Sequence, residues 1–504
     1  MNKKYLQMSL SQLSPELLNH RPDLLPGYTQ LLTLPEKIIQ FGTGVLLRGL
    51  PDYFVNKANQ QGIFNGRIVV VKSTNTGGTD AFSEQKNIYS HSIRGISNGK
   101  QLDEIVINTA ISRTLAASTN WAEILKCAHD PEIKIAISNT TEVGIQLTED
   151  DLFASPPASF PGKLTAYLYE RFKAFSGSAE SGMVIVPTEL IVGNGTKLRE
   201  IVLEQAKRHT PGDDFITWLE NHNRFCNSLV DRIVPGKPDA ETVAELTERQ
   251  GFKDDLLIVS EVYSLWAIEA TGDSGVNDVS AVLSFAQADP GVVIAPNIDL
   301  FRELKLRLLN GTHTLASGYC YLQGLDTVRE SMENSETASY IAAVMLTELA
   351  PAIPYELDLN YAKEFGNQVL DRFRNPFIRH QLIDITVQYT AKMKMRNIPT
   401  LLSHYQKSAA VPVLFAKGFA AFLQFMKPVS QQEAQFYGDR NGELYPIRCD
   451  SAAYFNEKWK NATSPVDLAQ EVLSDESLWG TNLTILPGFA DAVKGFMTVS
   501  LIAE

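Results

Sequence analysis

What this 504-residue chain lacks narrows its chemistry first. It has only four cysteines, Cys127, Cys226, Cys320 and Cys449, far apart and with no CxxC pair. Neither a disulfide framework nor a thiolate zinc site is indicated, and the four read as buried thiols. The eight histidines form no HExxH and no HxH, which argues against a metal site. No apolar run approaches the ~20 residues needed to span a bilayer. The opening MNKKYLQMSLSQLSPELLNH has no apolar stretch followed by a small-residue cleavage site, so a cytoplasmic protein with no membrane partner is expected. Positive charge is scarce too: 45 Lys and Arg stand against 58 Asp and Glu, a net charge of −13. A nucleic-acid binder would need a basic stripe to displace counterions from phosphates. Internal repeats and low-complexity tracts are also missing.

What remains is an ordinary globular composition, 44% hydrophobic and 20% charged, in a chain long enough for two to four domains. In EKIIQFGTGVLLRGLPDYFVNKANQQG (36–62) a short apolar run ends in glycines and passes into a helical pattern through Val45, Leu46, Leu50, Phe54 and Val55. This reads as strand, tight turn and helix. RIVVVKST (67–74) reads as a buried strand, because a run of branched apolar residues suits a parallel strand covered on both faces. IKIAISNTT (133–141) and MVIVPTE (183–189) are further strands, the second following a helical stretch, GKLTAYLYERFKAF (162–175). Such alternation predicts an α/β fold, a Rossmann-like, mostly parallel sheet over residues 1–297. From DPGVVIAPNIDLFRELK (289–305) onward, long helical patterns predict a mainly α-helical domain over 298–504.

The turn after the first strand carries Gly42 and Gly44 at GxG spacing, with Leu47 where a third glycine is usual. Glycines there let backbone amides approach a pyrophosphate at a helix N-terminus. A merely tight turn explains the pair as well, but its place after the first strand of an α/β pattern favours a dinucleotide. The second strand ends in Lys72, Ser73 and Thr74 rather than an acidic residue that would bind the ribose hydroxyls, so NAD and NADP both stay open on these residues. SNTTEVGI (138–145) follows the third strand, where a doubly wound fold gathers its loops. Asn139, Thr140 and Thr141 suit turn chemistry as readily as a nicotinamide border; Glu142 is the residue a turn needs least.

The most telling stretch is LKLRLLNGTHTLAS (304–317). On a regular helix Lys305, Asn310 and His313 point within an arc of roughly 140°. Each has a plain structural reading: a snorkelling lysine, an Asn-Gly helix end, a satisfied core histidine. Three polar groups within nine residues of a leucine-rich segment, just past a dinucleotide-type domain, fit those readings poorly together. Carbonyl reduction would use them. Charge develops on oxygen as hydride reaches carbon, so the site needs donors aimed at that oxygen and an acid. Lysine is suited to that work when partly buried, Asn310 would hold the oxygen, and His313 would orient a hydroxyl-bearing substrate.

KLRLLNGTH (305–313) resembles the signature of the polyol-specific long-chain dehydrogenases, zinc-independent enzymes of the mannitol dehydrogenase family, whose pattern is Lys, Asn five residues on and His eight on. GTGVLLR (42–48) resembles the family's GxGxxxR, and TEVG (141–144) its TExG segment near the nicotinamide. TELIVGNG (188–195), LWAIE (265–269) and RFRNP (372–376) resemble three further segments, and TAK (390–392) sits where the family has SxK. The resemblance runs through most of the chain. It implies NAD as cofactor, bound through Gly42, Gly44, Arg48, Thr74, Asn139 and Glu142. It implies Lys305 as general acid/base with Asn310 and His313, and no metal.

Within the family, QFGTGVLLRG, SNTTEVGI, PGKLT and the TELI segment look most like members acting on tagaturonate. The implied reaction is reversible reduction of D-tagaturonate to D-altronate with NADH, a step in galacturonate breakdown; fructuronate and mannitol chemistry are the near alternatives. A dinucleotide-binding sensor without activity and a metal-dependent alcohol dehydrogenase are readings of other kinds. Two departures stand out. Leu190 occupies the place of a second oxyanion-binding asparagine, so either Asn194 or Glu189 takes over part of that role, or Asn310 holds the oxyanion alone. Asp384 stands where mannitol dehydrogenases have an arginine eight residues before the lysine of SxK. A uronate needs a fixed cation, preferably an arginine fork, and Lys392 and Arg302 are the candidates. The oligomeric state is not legible.

Overall fold

The computed structural model describes residues 10–74, 79–140, 144–210, 212–271 and 273–498. The chain forms two compact units, one running to Arg94 and resuming over Leu102–Ile298, the other made of Gly95–Gln101 and the chain from Asp299 on.

The first unit is built on a six-stranded sheet: β1 (Glu36–Phe41), β2 (Arg67–Lys72), β3 (Ile111–Ala116), β4 (Ile135–Ser138), β5 (Val184–Pro187) and β6 (Arg224–Phe225). Its spatial order is β3-β2-β1-β4-β5-β6, and every pairing is parallel. That is the doubly wound dinucleotide-fold order, with its reversal between β1 and β4. Successive strand residues supply opposite cores, which is why the strands are apolar throughout. Ile38, Ile68, Val70, Ile135 and Val186 pack on one face with α1 (Val45–Gly49) and α2 (Pro51–Gln60). Ile39, Val69, Val71, Ala136 and Ile185 pack on the other with α3 (Ala117–Cys127), α4 (Phe160–Ala174) and α5 (Asn194–His209).

Two smaller sheets join this unit. One pairs Ile258–Ser260 with Tyr89–Ser97, which also neighbours Lys100–Asn108; the other orders Val292–Ala295, Leu265–Glu269 and Ser228–Asp231. The last contains an antiparallel pair.

The second unit is mainly helical. It opens with α6 (Asp299–Leu304), runs without a break into a π-helical segment, Lys305–Gly311, and continues as α7 (Thr312–Leu322). Further helices and a π segment at Val344–Leu349 lead to α8 (Leu359–Phe373), then α9 (Tyr389–Lys392), another π segment (Met393–Asn397) and α10 (Ile398–Lys407). An antiparallel meander, Ser430–Gln432, Gln435–Arg440 and Glu443–Ile447, interrupts the helices. Among the described residues no helix is long and apolar enough to cross a membrane.

Candidate functional site

The residues that could hold a dinucleotide gather at the carboxyl ends of β1, β2 and β4. Gly42 lies at φ +134°, its N–H donating to Val71 O at 2.9 Å. A Cβ there would stand 2.7 Å from Leu47 Cδ1 and 3.0 Å from the backbone oxygen of Asn139, so both conformation and space demand glycine. Gly44 differs. It precedes α1 with an ordinary φ of −64°, and a Cβ would meet nothing among the described residues within 4 Å. None of those residues demands glycine at this position, and the open space beside it fits the close approach of a ligand to the backbone.

Thr74 is exposed beyond β2, its carbonyl accepting from Lys72 Nζ at 2.6 Å. With Ser73, Ser118, Lys163 and the loop 156–158 it lines a cavity of ≈ 570 Å³, large enough for part of a cofactor. Asn139 stands at the reversal point. Its N–H donates to Phe41 O at 3.2 Å and its amide to Thr188 Oγ1 at 3.0 Å, joining the ends of β1, β4 and β5. Glu142 lies outside the described residues.

Three expected contacts in this unit have other employment. Arg48 is only 9% exposed. Its guanidinium donates to Leu256 O and lies over the rings of Phe82 and Tyr89, 5.7 and 5.4 Å from their centroids. It braces the interior behind the turn. Asn194 is 0% exposed. Its amide donates to the carbonyls of Pro187, Glu189 and Ser228 at 3.0, 3.0 and 3.1 Å, and its oxygen accepts from the N–H groups of Gly195 and Ser228 at 2.8 and 2.9 Å. No polar atom remains for a substrate.

Glu189, 2% exposed, accepts from Thr140 N at 2.9 Å, Thr140 Oγ1 at 3.1 Å and Ser138 Oγ at 3.2 Å. Burial raises its pKa against those hydrogen bonds. It ties the ends of β4 and β5 together. All three side chains thus have a role within the fold, and for Asn194 and Glu189 it is to satisfy strand-end backbone groups.

The second unit carries the other group. In an α-helix residues five apart diverge by about 140°, but the π segment Lys305–Gly311 brings residues five apart into successive turns, the i to i+5 spacing. Lys305 and Asn310 are therefore closer to one line than a regular helix allows. Both are partly exposed. The Asn310 carbonyl accepts from Thr314 Oγ1 at 2.8 Å, while its side-chain amide has no hydrogen-bond partner among the described residues.

His313 is buried, its ring stacked on Phe373 at 4.1 Å and edge-on to His380 at 5.1 Å between centroids. Burial, then the charges of His380, Arg396, Arg372 and Lys392, drive its pKa well below the usual histidine value. It is a neutral imidazole with one donor and one acceptor.

Arg307 fixes this segment. It pairs with Glu303 at 2.8 Å and donates to the carbonyls of Met395 and Arg396 at 2.7 and 2.9 Å, and Asn397 Nδ2 donates to Gly311 O at 3.0 Å. The π segments at 305–311 and 393–397 thus hold each other. Lys392 is half-buried beside the second, its Nζ donating to Ile385 O at 2.8 Å. Burial, then Arg396 and Arg448, lower its pKa. Arg302, the other expected cation, is paired with Asp299 one turn before it. Sequence reasoning missed His380, Phe373, Arg372 and Arg396 around His313. RFRNP was noticed only as a likeness, and the four-residue spacing of Lys392 and Arg396 was the unread signal. Among the described residues no group of His, Cys, Asp and Glu is placed to hold a metal.

This arrangement offers glycine-turn backbone for an anion in one unit and, in the other, an ammonium, a free amide and a neutral imidazole within nine residues. Comparison with known proteins gives the same division. Residues 36–277 match the mannitol dehydrogenase Rossmann domain and residues 297–497 the mannitol dehydrogenase C-terminal domain. An altronate oxidoreductase of Halalkalibacterium halodurans is 36% identical over 91% of this chain and 90% of its own length. One from Bacillus subtilis is 36% identical over 93% of each. Among solved structures, Pseudomonas fluorescens mannitol 2-dehydrogenase, in a ternary complex with NAD and D-mannitol, shares the fold with a TM-score of 0.64. It is 21% identical, covering 97% of this chain and 98% of that one.

Proposed function

The chain belongs to the mannitol dehydrogenase family, and from that footing we propose that it reduces D-tagaturonate to D-altronate, reversibly, with NADH. It is an oxidoreductase acting on CH–OH groups with NAD. The substrate reading is supported by likeness to altronate oxidoreductases over more than nine tenths of the chain. The observation that carries the chemistry is the π turn with Lys305 and Asn310 on successive turns and His313 just beyond.

NAD(H), when bound, supplies or takes the hydride. The backbone at Gly42 and Gly44, the cavity beside Thr74 and the β4 end at Asn139 are the parts of this chain that fit it. Lys305 gives a proton to the carbonyl oxygen as the keto carbon is reduced and takes it back in the reverse direction. The Asn310 amide donates to that oxygen as negative charge develops, which is where a preorganised dipole lowers the barrier. His313 stays neutral and exchanges hydrogen bonds with a substrate hydroxyl, and its stack on Phe373 fixes the plane in which it does so. With Asn194 consumed by backbone, Asn310 carries the oxyanion without a partner from the 188–195 loop. The reaction belongs in the cytoplasm, with the NADH pool.

The test is NADH oxidation with D-tagaturonate, D-fructuronate and D-fructose offered separately at equal concentration, with NADPH in parallel. A strong preference for tagaturonate with NADH is expected. Turnover of fructose alone would refute the uronate assignment, and dinucleotide binding with no reduction of any of the three would favour a sensor.

A further inference from the structure

Resting on the uronate reading, we propose that Arg396, with Lys392 one turn before it, binds the substrate carboxylate. The π segment Met393–Asn397 sets the two cations four residues apart at its start and near its end. The segment is fixed independently of the Lys392 and Arg396 side chains, through Arg307 on the carbonyls of Met395 and Arg396 and the Asn397 amide on Gly311 O.

The Arg396 guanidinium lies against the 310–314 turn, Nη1 reaching Thr314 Oγ1 at 3.2 Å and Asn310 O at 3.5 Å. Those are neutral, long contacts. Among the described residues, Nε is buried with no hydrogen-bond partner and no carboxylate pairs with Arg396 or with Lys392. The nearby acid, Asp384, is engaged by Arg448 at 2.8 Å.

Burial without a counter-charge is unfavourable to a cation, and here two stand together. Arg396 and Lys392 both act on His313 with the same sign. A folded chain keeps such a pair where an anion arrives from outside, and the planar fork of an arginine matches a carboxylate with two parallel hydrogen bonds. The position suits the substrate as well. Asn310 gives its side-chain amide to the carbonyl oxygen and its backbone to Arg396, so one turn of helix would span the substrate from its keto end to its acid end. Arg302, which the sequence offered for this role, already has Asp299.

The test compares steady-state kinetics of wild type, Arg396→Gln, Arg396→Lys and Arg302→Gln with D-tagaturonate, together with NADH binding and thermal unfolding. Arg396→Gln is expected to raise the KM for tagaturonate by about 100-fold, with kcat falling much less and NADH affinity unmoved. Arg396→Lys, which keeps the charge and loses the fork, should fall between it and wild type. Should the glutamine variant not fold, the lysine variant alone decides, by a KM rise of about tenfold. A fall in kcat with KM unmoved, or a KM rise from Arg302→Gln in place of Arg396→Gln, would overturn the assignment. Wild type that reduces fructose and no uronate would instead remove the reading on which it rests, and that shows before any variant is made.

Discussion

Replacing Asn194 by alanine separates two accounts of the 188–195 loop. If Asn194 were a substrate ligand, Asn194→Ala would fold normally and lose turnover. The structure predicts the reverse. The side chain is the partner of two buried N–H groups, those of Gly195 and Ser228, and each orphaned buried donor costs about 1 to 3 kcal/mol. The carbonyls of Pro187 and Glu189 keep other donors, Ser228 Oγ and Ile191 N, so the loss comes mainly from the two amides. Together they amount to about 2 to 6 kcal/mol. At roughly 2 to 4 °C per kcal/mol for a domain of this size, the unfolding midpoint should drop by about 10 °C in calorimetry. NADH-linked turnover per folded molecule, measured well below the transition, should stay within about threefold of wild type. A variant as stable as wild type but with kcat reduced a hundredfold would refute the reasoning.

Other substitutions test neighbouring parts of the account. Gly42→Ala forces a Cβ onto Leu47 and Asn139 at a positive φ, so it should lower both stability, by about 1 to 3 kcal/mol, and NADH affinity; Gly44→Ala meets no atom of the described residues and should raise the NADH dissociation constant while leaving the unfolding midpoint alone. Asp52 is fully buried, and desolvation pushes its pKa up to about 8 against the pull of Gln40 and Arg48. The folded state therefore holds a proton that the unfolded chain releases above about 3.8, and the Asp52 contribution to stability falls as pH rises from about 4 to about 8. Asp52→Asn should flatten that slope in urea unfolding across the range; an unchanged slope would mean the carboxyl ionises freely in the fold. A chelator should leave turnover unaltered, as measured after prolonged dialysis against it.

How far the chain could be read from its residues depended on whether a pattern was local. β1, β2, β4 and β5 were legible because both faces of each are buried, so the apolar run is continuous and the flanking glycines and polar turns stand out. β3, ISRTLA, was not: its half-buried Ser112, Arg113 and Thr114 break the run. The antiparallel meander at 430–447 was missed for the same reason, being rich in polar, half-exposed residues.

The site was legible as residue types and spacing. The π turns were not, since a leucine-rich segment has the same apolar content in either helix and only the hydrogen-bond register distinguishes them. Arg48, Asn194 and Glu189 were read as ligand contacts because their motifs carried the likeness. Their burial follows from neighbours distant in the chain, such as Leu256 and Ser228, that no local pattern reveals.

The central claim is that reduction runs through Lys305. The direct measurement is single-turnover oxidation of bound NADH by D-tagaturonate in Lys305→Ala, with NADH affinity followed by its fluorescence in the same samples. The account predicts unaltered NADH binding and a hydride-transfer rate lower by about 100- to 10,000-fold, the range a positioned acid supplies. A rate within tenfold of wild type would contradict it and return the proton to another group.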